Sequence, residues 1–274
     1  MILFARKNRH FHAGVLALTI FGAVLAGAAV IQGIDLEMHI SRRLQAPSAC
    51  CPLGTDALGR DIFSCLACGT LFSLAVALAV VALSAGAGAA LGFLAGWRGG
   101  ILDICIMRAA DLALAFPGIL LALTLIAFWG QGTLHLILAL ASGGWVHYAR
   151  LLRAEILKIK GRDFILAARG CNASSWHIAV HHVLPLVFPI LLTQAVSGIA
   201  AVILAEASLS FLGLGLDPRL PTLGGMIDAG RGHLFDLPAL VLMPGACLMI
   251  LVAGFLLLAE GFKPRTGAPA LGKR

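Results

Sequence analysis

Six long apolar stretches run along the chain, and each is long enough to cross a membrane as a helix. They lie at 13–33, 70–96, 104–128, 134–152, 187–210 and 239–261. About 20 consecutive apolar residues span the hydrocarbon core of a bilayer as an α-helix. The pattern therefore predicts an all-α polytopic membrane protein with six transmembrane helices.

The composition fits a membrane protein. Of the 274 residues, 60% are hydrophobic and 12% are charged, whereas soluble domains carry about 25% charged residues. The first stretch follows Arg6, Lys7 and Arg9, as the apolar region of a signal peptide would. That region has only about 7–15 residues in a signal peptide, so we expect the stretch at 13–33 to be a retained helix.

The distribution of Lys and Arg predicts the orientation. With the N-terminus in the cytoplasm, 15 of the 20 Lys and Arg residues fall on the cytoplasmic side, as the positive-inside rule requires. Both termini are then inside, and the pI of about 9.4 reflects cations that flank spans rather than a nucleic acid site. The cytoplasmic parts are the tails at 1–12 and 262–274 and a loop at 153–186; the outer loops are 34–69 and 211–238, and a five-helix core covers 70–261.

A polar segment from Arg150 to Pro185 is predicted to form two helices separated by a turn. It contains six Lys or Arg residues. Gly161 interrupts the first helical pattern, Asp163 is placed to cap the next helix, and Asn172 stands where a left-handed residue would end it. We expect a small platform, parallel to the membrane, that binds a partner. An amphipathic hairpin held by anionic lipid is the alternative.

Apolar residues recur at helical spacing in both helices of this platform. In its first helix they are Phe164, Ala167, Ala168 and Cys171, and in its second helix they are Trp176, Val180, Val183 and Leu184. A histidine cluster, His177, His181 and His182, lies beside the second set. Because no carboxylate completes a metal site nearby, we expect solvated histidines and no bound metal.

Two features of the predicted spans concern helix geometry. Small residues recur at every fourth position near the end of the second stretch, at Ser84, Gly88, Gly92 and Gly96. This spacing lets two helix backbones approach closely, and it fits packing within the chain as well as an interface with another subunit.

In the third stretch, Pro117 lacks a backbone donor and is expected to kink or begin a helix.

Four cysteines fall on the outer side in this topology: Cys50, Cys51, Cys65 and Cys68. Small apolar residues, disulfide partners in an oxidising compartment and ligands of a metal relay are the three interpretations. The sequence leaves the choice among them open.

The chain lacks the motifs of an enzyme. It contains no G-x-x-x-x-G-K-[ST] loop for phosphate, no H-E-x-x-H and no G-x-S-x-G, so we expect no catalytic residue here. Ionisable residues near the spans are few, with Asp103, Asp111 and Glu206 at span ends, whereas gradient-driven carriers place such residues within their spans. This favours a transporter driven by a partner subunit. A gradient-driven carrier or channel and a purely structural scaffold are the alternatives.

Five blocks of sequence, in this order, resemble the permease subunits of dipeptide, oligopeptide and nickel ABC importers. They are LGTDALGRD, MRAADLALAFPG, YARLLRAEIL, ILAARG…HHVLP and EASLSFLGLG. The resemblance implies a bacterial inner-membrane protein that works with a second homologous permease, two cytoplasmic ATPase subunits and an extracytoplasmic solute-binding protein. It also implies that ATP and Mg are bound by the partner subunits, with no cofactor in this chain.

The resemblance further implies that the polar segment contains coupling helices that bind the ATPase. The family motif begins Glu-Ala-Ala, carries a Gly several residues later and ends Leu-Pro. In this chain Leu166 stands in place of the Glu and Asn172 in place of the Gly. The positions implied in coupling are Asp163, Leu166, Ala167, Ala168, Arg169, Asn172, Leu184 and Pro185.

The motifs identify the substrate class less specifically than they identify the family. The block that begins at Glu206 looks like the peptide branch of the family, which favours di- and oligopeptides. Glu206, Ser208 and Ser210 are then candidates for the translocation pathway, where Glu206 could bind a peptide amine or a cation. A helix-terminal structural carboxylate is the other interpretation of Glu206, and nickel or another transition-metal ion or chelate is the other substrate.

Overall fold

The structure is a computed structural model, and it describes residues 2–32, 36–48, 51–213 and 220–263. Within these ranges the chain is helical, and its only β-type pairing is an isolated bridge between Thr55 and Asp61. The predicted all-α class is therefore confirmed for this part of the chain.

Ten α-helices are named here in chain order. They are α1 (Ile2–Gln32), α2 (Ile62–Arg98), α3 (Gly100–Leu114), α4 (Gly118–Trp129), α5 (Thr133–Lys160), α6 (Asp163–Gly170), α7 (Ser175–Ile178), α8 (Leu184–Phe211), α9 (Leu223–Gly230) and α10 (Ala239–Phe262). A π-helical turn, Ala179–Val183, joins α7 to α8 without a break, and short 3-10 turns lie at Ile40–Arg42 and Arg231–His233.

Fewer helices than six are both long and apolar enough to span a membrane. Among the described residues they are α2, the continuous helix Ser175–Phe211 and α10, with a fourth if α3 and α4 count together. Helix α5 ends in a cation-rich stretch that lowers its hydropathy, and α1 contributes only a shorter apolar section, Phe11–Leu25. Six spans and their orientation thus stay predictions.

The third predicted span is two helices rather than one. Helices α3 and α4 meet at an angle of 83°. The break falls at Pro117, which caps α4 with a φ of −55°. Proline lacks the backbone donor that a continuing helix needs, and its ring disfavours helical geometry at the residue before it. The effect predicted for Pro117 is confirmed, because the stretch at 104–128 is divided into two helices at this residue.

Several helices begin earlier than the predicted spans. Helix α1 already includes most of the predicted tail at 1–12. Helix α2 begins at Ile62, where the Asp61 carboxylate accepts a 2.8 Å hydrogen bond from the Ser64 amide. Cys65 and Cys68 therefore lie in a helix as free thiols rather than in the outer loop; Cys50 lies outside the described residues.

The small residues of α2 lie against α5, and the contact is within the chain. A Cβ atom placed on Gly92 would lie 2.8 Å from the Cα of Ala149, and one on Gly96 would lie 3.0 Å from the Cβ of Ile156. Gly88 faces Tyr148 in the same way, and Ser84 faces Gly144. The stripe therefore lets the backbones of α2 and α5 touch, which larger side chains would prevent.

Helix α8 packs against α2 and α10, and α1 packs against α10.

Replacing Gly92 by Ala is expected to separate α2 from α5. The new methyl group would overlap the backbone of Ala149, and overpacking of this kind costs about 1–3 kcal/mol. Gly86→Ala is the matched control, because a Cβ atom on Gly86 meets nothing within 4 Å; it should leave stability unchanged or raise it by up to about 1 kcal/mol. Thermal unfolding in detergent measures both, and equal midpoints for the two variants would contradict the packing argument.

Candidate functional site

The polar segment folds as the predicted helix, turn and helix. Asn172 has a φ of 63°, so the left-handed residue predicted at the end of α6 is confirmed. The amide of Ala173 donates to the carbonyl of Ala168 at 3.1 Å, which closes the end of α6. Ser174 then caps α7 by accepting a hydrogen bond from the His177 amide at 3.2 Å. We call residues 163–184 the platform.

Two details of the platform differ from expectation. Asp163 is the first residue of α6 rather than the residue before it, so its carboxylate acts within the first turn, where negative charge is favourable. The second platform helix does not stop before Pro185. It continues through the π-helical turn into α8, because a proline is tolerated in the first turn of a helix, where its missing amide has no intrahelical partner. Leu184 and Pro185 are both exposed there.

A small apolar core fixes the platform to the helices above it. Its buried residues come from α5, the platform and α8: Leu152, Ile156, Ile159, Ile165, Ile178, Val183 and Val187. Ala168 packs against this core from α6. The platform therefore cannot tilt by itself without opening an apolar core that it shares with α5 and α8.

The apolar residues that recur at helical spacing are mostly not the ones that the platform buries. Phe164, Ala167 and Cys171 are exposed, and so are Trp176 and Leu184; of the two sets, Val183 is buried and Ala168 and Val180 are half-buried. The residues that bury instead are Ile165 and Ile178, because these aliphatic side chains face the apolar stripe of α5. An eight-residue helix offers several apolar faces, and the spacing of its residues alone does not select among them.

Several large apolar side chains of the platform are exposed. Trp176 is 75% exposed and Leu166 is 54% exposed, and Phe164, two residues before Leu166, is 41% exposed. Ala167 is exposed on α6 as well, and for Arg169 the structure describes the helix backbone alone. Leu166 thus stands on a surface that lacks the carboxylate of the family motif. Exposed aromatic side chains such as Trp176 are enriched at protein interfaces.

A lysine that the sequence did not single out connects the platform end of α5 to α2. The ammonium group of Lys160 donates to the carbonyls of Gly96 and Trp97, at 3.2 and 2.8 Å, and lies 5.7 Å from the centre of the Trp97 ring. These carbonyls belong to the last turn of α2, where a cation is favourable. Basic residues in the last turn of α5 are the sequence signal for such a cap, although the partner helix could not be inferred from them.

The histidines of the platform lie close together. The rings of His177 and His181 stack with their centres 4.3 Å apart, and His182 meets His177 edge-on at 5.9 Å. The described residues include no group of three His, Cys, Asp or Glu side chains placed to hold a metal ion.

The candidate pathway residues on α8 occupy different environments. Glu206 has no exposed surface, and its carboxylate accepts hydrogen bonds from the hydroxyls of Ser73 and Ser210 at 2.7 and 2.8 Å. Ser208 is half-buried, and its hydroxyl donates to the carbonyl of Leu204. Glu206 therefore joins α2 to α8 inside the subunit, and in this conformation it does not line an open pathway.

Helix α3 is attached to α5 by ion pairs. Arg153 makes a bidentate contact with Asp103, in which the Nη2–Oδ2 distance is 2.7 Å. Arg150 contacts Asp111 at 2.6 Å, and Arg108 lies 3.5 Å from the same carboxylate. These charges line an open cleft between the two helices, together with Ile104 and Met107.

The block LGTDALGRD forms a tightly hydrogen-bonded loop at the start of α2. The Asp56 carboxylate accepts from the amide and the guanidinium of Arg60, at 2.9 and 2.8 Å, and both side chains are largely buried. The hydroxyl of Thr55 accepts a hydrogen bond from the amide of Gln45 at 2.9 Å. The block therefore holds the loop from Gln45 onward against the N-terminus of α2.

Long apolar helices, a helical platform at one end and a bent helix pair define a helical membrane transport subunit. The fold is similar to that of a chain of the MetNI methionine ABC transporter, solved in inward-facing conformations, with a TM-score of 0.58 and 22% identity over 70% of this chain and 91% of that one. The chain belongs to the family of binding-protein-dependent transport system inner membrane components, whose model matches residues 88–268.

Relatives within this family include permeases with different named substrates. The chain is 34% identical to the dipeptide transport system permease protein DppC of Alkalihalophilus pseudofirmus, over 94% of this chain and 85% of that protein. It is 35% identical to the glutathione transport system permease protein GsiD of Pectobacterium atrosepticum, over 95% and 87%. It is 36% identical to the nickel transport system permease protein NikC of Escherichia coli, over 85% and 82%. The chain is thus an inner-membrane ABC importer permease.

Removing the Glu206 carboxylate is expected to destabilise the subunit. In Glu206→Ala two buried serine hydroxyls lose their acceptor, which should lower the free energy of unfolding by about 2–3 kcal/mol. Glu206→Gln should stay close to wild type, because its amide oxygen can accept from one serine while the other hydroxyl rotates to accept from the amide nitrogen. Thermal unfolding measures the difference. A transport defect in both variants at unchanged stability would instead assign Glu206 to the pathway.

The left-handed backbone at Asn172 gives a second prediction. Asn172→Gly should be neutral, because glycine adopts positive φ without steric cost, whereas Asn172→Val should destabilise the platform by about 1–2 kcal/mol. Hydrogen exchange at the amides of Cys171 and Ala173 reports this local opening. Equal protection in the two variants would contradict the argument.

Proposed function

We propose that this chain forms one half of the translocation pathway of an ATP-driven importer and that its platform binds a cytoplasmic ATPase subunit. The other parts of the complex are a second homologous permease, a second ATPase subunit and an extracytoplasmic solute-binding protein. The observation that carries the proposal is the exposure of three large apolar side chains, Phe164, Leu166 and Trp176, on a platform whose apolar core is shared with α5 and α8.

The coupling mechanism follows from how the platform is attached. When the ATPase subunits bind ATP and close, they displace the platform. Because Ile165 and Ile178 share one core with α5 and α8, the displacement passes to these helices as a rigid movement. Lys160 extends the movement to the end of α2 through its contacts with Gly96 and Trp97. The bundle then opens to the outside to accept substrate, and hydrolysis resets it.

Six spans with both termini in the cytoplasm are part of the proposal. The support is the distribution of Lys and Arg, which places the platform and both tails inside. In this arrangement α1 and α5 cross the membrane as the first and fourth spans, and α3 with α4 forms the third. ATP and Mg bind to the partner subunits, so this chain supplies movement and a pathway rather than catalysis.

Di- and oligopeptides are the proposed substrates. Support comes from the resemblance of the block that begins at Glu206 to the peptide branch, and from the relatives named for dipeptide and glutathione transport. Nickel is the second candidate, favoured by the relative named for nickel transport. A gradient-driven carrier would work without an ATPase, so co-purification of ATPase subunits with this chain separates the two mechanisms.

Changes at Leu166 test the docking surface. Leu166→Ala is expected to weaken binding of the ATPase subunit about fivefold, because roughly 1 kcal/mol of apolar burial is lost. Leu166→Glu should weaken it further, since a carboxylate would lose its hydration against an apolar surface. Leu256→Ala is the control, because Leu256 is also about half exposed, at 48%, but lies on α10.

The measurements for Leu166 are the amount of ATPase subunit that co-purifies and the rate of substrate-stimulated ATP hydrolysis. If Leu166→Glu binds the ATPase as well as wild type does, the contact at this position is polar or absent. If ATPase subunits fail to co-purify with the wild-type chain, the proposed mechanism itself is wrong.

A further inference from the structure

The break between α3 and α4 identifies the face of the chain that meets the pathway. Residues 115–120 are all exposed, and Phe116 at the bend is 63% exposed. On one side of the bend, Ile126 of α4 belongs to an apolar cluster with Leu136, near the start of α5. On the other side, Asp111 of α3 contacts Arg150, nearer the platform end of α5. The bend thus lies between the two ends of α5.

A helix break at this depth, between the two ends of the long helix α5, cannot face lipid. Irregular backbone within the hydrocarbon region is tolerated only where it is covered by protein or lines a water-filled cavity, because lipid offers no hydrogen-bond partners. The exposed surface at Phe116 and Pro117 therefore faces the pathway or the second permease. The cleft between α3 and α5 lies on the platform side of this bend, so it opens towards the cytoplasmic half of the same pathway.

The charged side chains of this cleft differ in their exposure and in the distance to their ion-pair partners. Asp103 and Arg153 contact each other through two pairs of atoms and are mostly shielded, at 17% and 33% exposed. Arg108 is 79% exposed and reaches the Asp111 carboxylate only at 3.5 Å. Asp111 itself is 51% exposed. Arg108 is therefore accessible and weakly paired, whereas Asp111 is half exposed and keeps a 2.6 Å contact with Arg150 through its Oδ1.

We propose that this cleft is a substrate subsite for the charged ends of a zwitterionic peptide. Arg108 binds the terminal carboxylate, for which the guanidinium fork is suited, and Asp111 binds the terminal ammonium. The long contact of Arg108 with Asp111 Oδ2 is exchanged for two ion pairs with the substrate, while Arg150 stays on Asp111 Oδ1 and the pair of Asp103 and Arg153 keeps α3 on α5.

The net charge of the cleft supports a peptide over a bare metal ion. Three arginines and two aspartates line it, so its field repels a divalent cation and leaves one guanidinium in excess for a carboxylate. Basic clefts at the cytoplasmic side of a membrane also bind anionic lipid headgroups. The broken backbone beside this cleft favours the peptide, because that surface is unsuited to lipid.

The experiment uses the complete importer in proteoliposomes, supplied with its solute-binding protein and a dipeptide, and rests on the proposed function. Arg108→Gln and Asp111→Asn should each lower the maximal import rate about tenfold, the factor that corresponds to one charge-assisted hydrogen bond. ATP hydrolysis should continue, so the number of peptides imported per ATP falls. The half-saturating peptide concentration, set by the binding protein, should not change.

Two controls separate binding from folding. Glu260→Gln removes an exposed ion pair with Lys263 on α10 and should import as wild type does. Arg153→Gln removes the shielded pair with Asp103 and should lower thermal stability, import and ATP hydrolysis together. If Arg108→Gln behaves like Arg153→Gln, the residue is structural and the inference is overturned.

Three further outcomes are distinct. If wild type imports the dipeptide and both Arg108→Gln and Asp111→Asn match Glu260→Gln, the subsite is wrong and the proposed function stands. If the effect of Arg108→Gln occurs only in vesicles that contain phosphatidylglycerol and not in phosphatidylcholine alone, the occupant is a lipid headgroup and the inference is overturned. If the wild-type complex imports nickel and no peptide, the proposed substrate fails, and the subsite fails with it.

Discussion

The backbone contact between α2 and α5 is the constraint on which the rest of the structure depends. The stripe that contains Gly88 and Gly92 brings the two helices so close that nothing fits between them. The chain must nevertheless return from the end of α2 to the start of α5. Helices α3 and α4 make this return outside the pair, which leaves them exposed along one side. The bend at Pro117 lets α3 follow the ion pairs of α5 while α4 follows the apolar cluster beside Leu136.

Three kinds of contact unite the long helices into one body. Close backbone packing joins α2 to α5, the buried Glu206 carboxylate joins α2 to α8 through Ser73, and the platform core joins α5 to α8. Lys160 adds a cap at the platform end of α2. In contrast, α3 is held to α5 largely by charged side chains at a partly open cleft. In the proposed mechanism, the rigid part receives the force from the ATPase and the more accessible part meets the solute.

The sequence predicted most features that depend on local chemistry. The all-α class, the effect of Pro117 and the left-handed turn at Asn172 follow from the properties of single residues and their near neighbours. Features that depend on distant partners were not predictable in this way. The burial of Glu206 requires serines on two helices, 133 and four residues away. The spacing of apolar residues did not identify the buried faces of the short platform helices, because packing against α5 selects Ile165 and Ile178.

The close packing of α2 against α5 also limits where this subunit can change during evolution or in the laboratory. Positions such as Gly92 admit almost no other residue, whereas the exposed side of α3 and α4 has room for many. A library that varies α3 and α4 and leaves the stripe on α2 untouched should therefore keep most of its members folded. A search for new solute preferences would therefore vary residues of α3 and α4, while α2 and α5 stay unchanged.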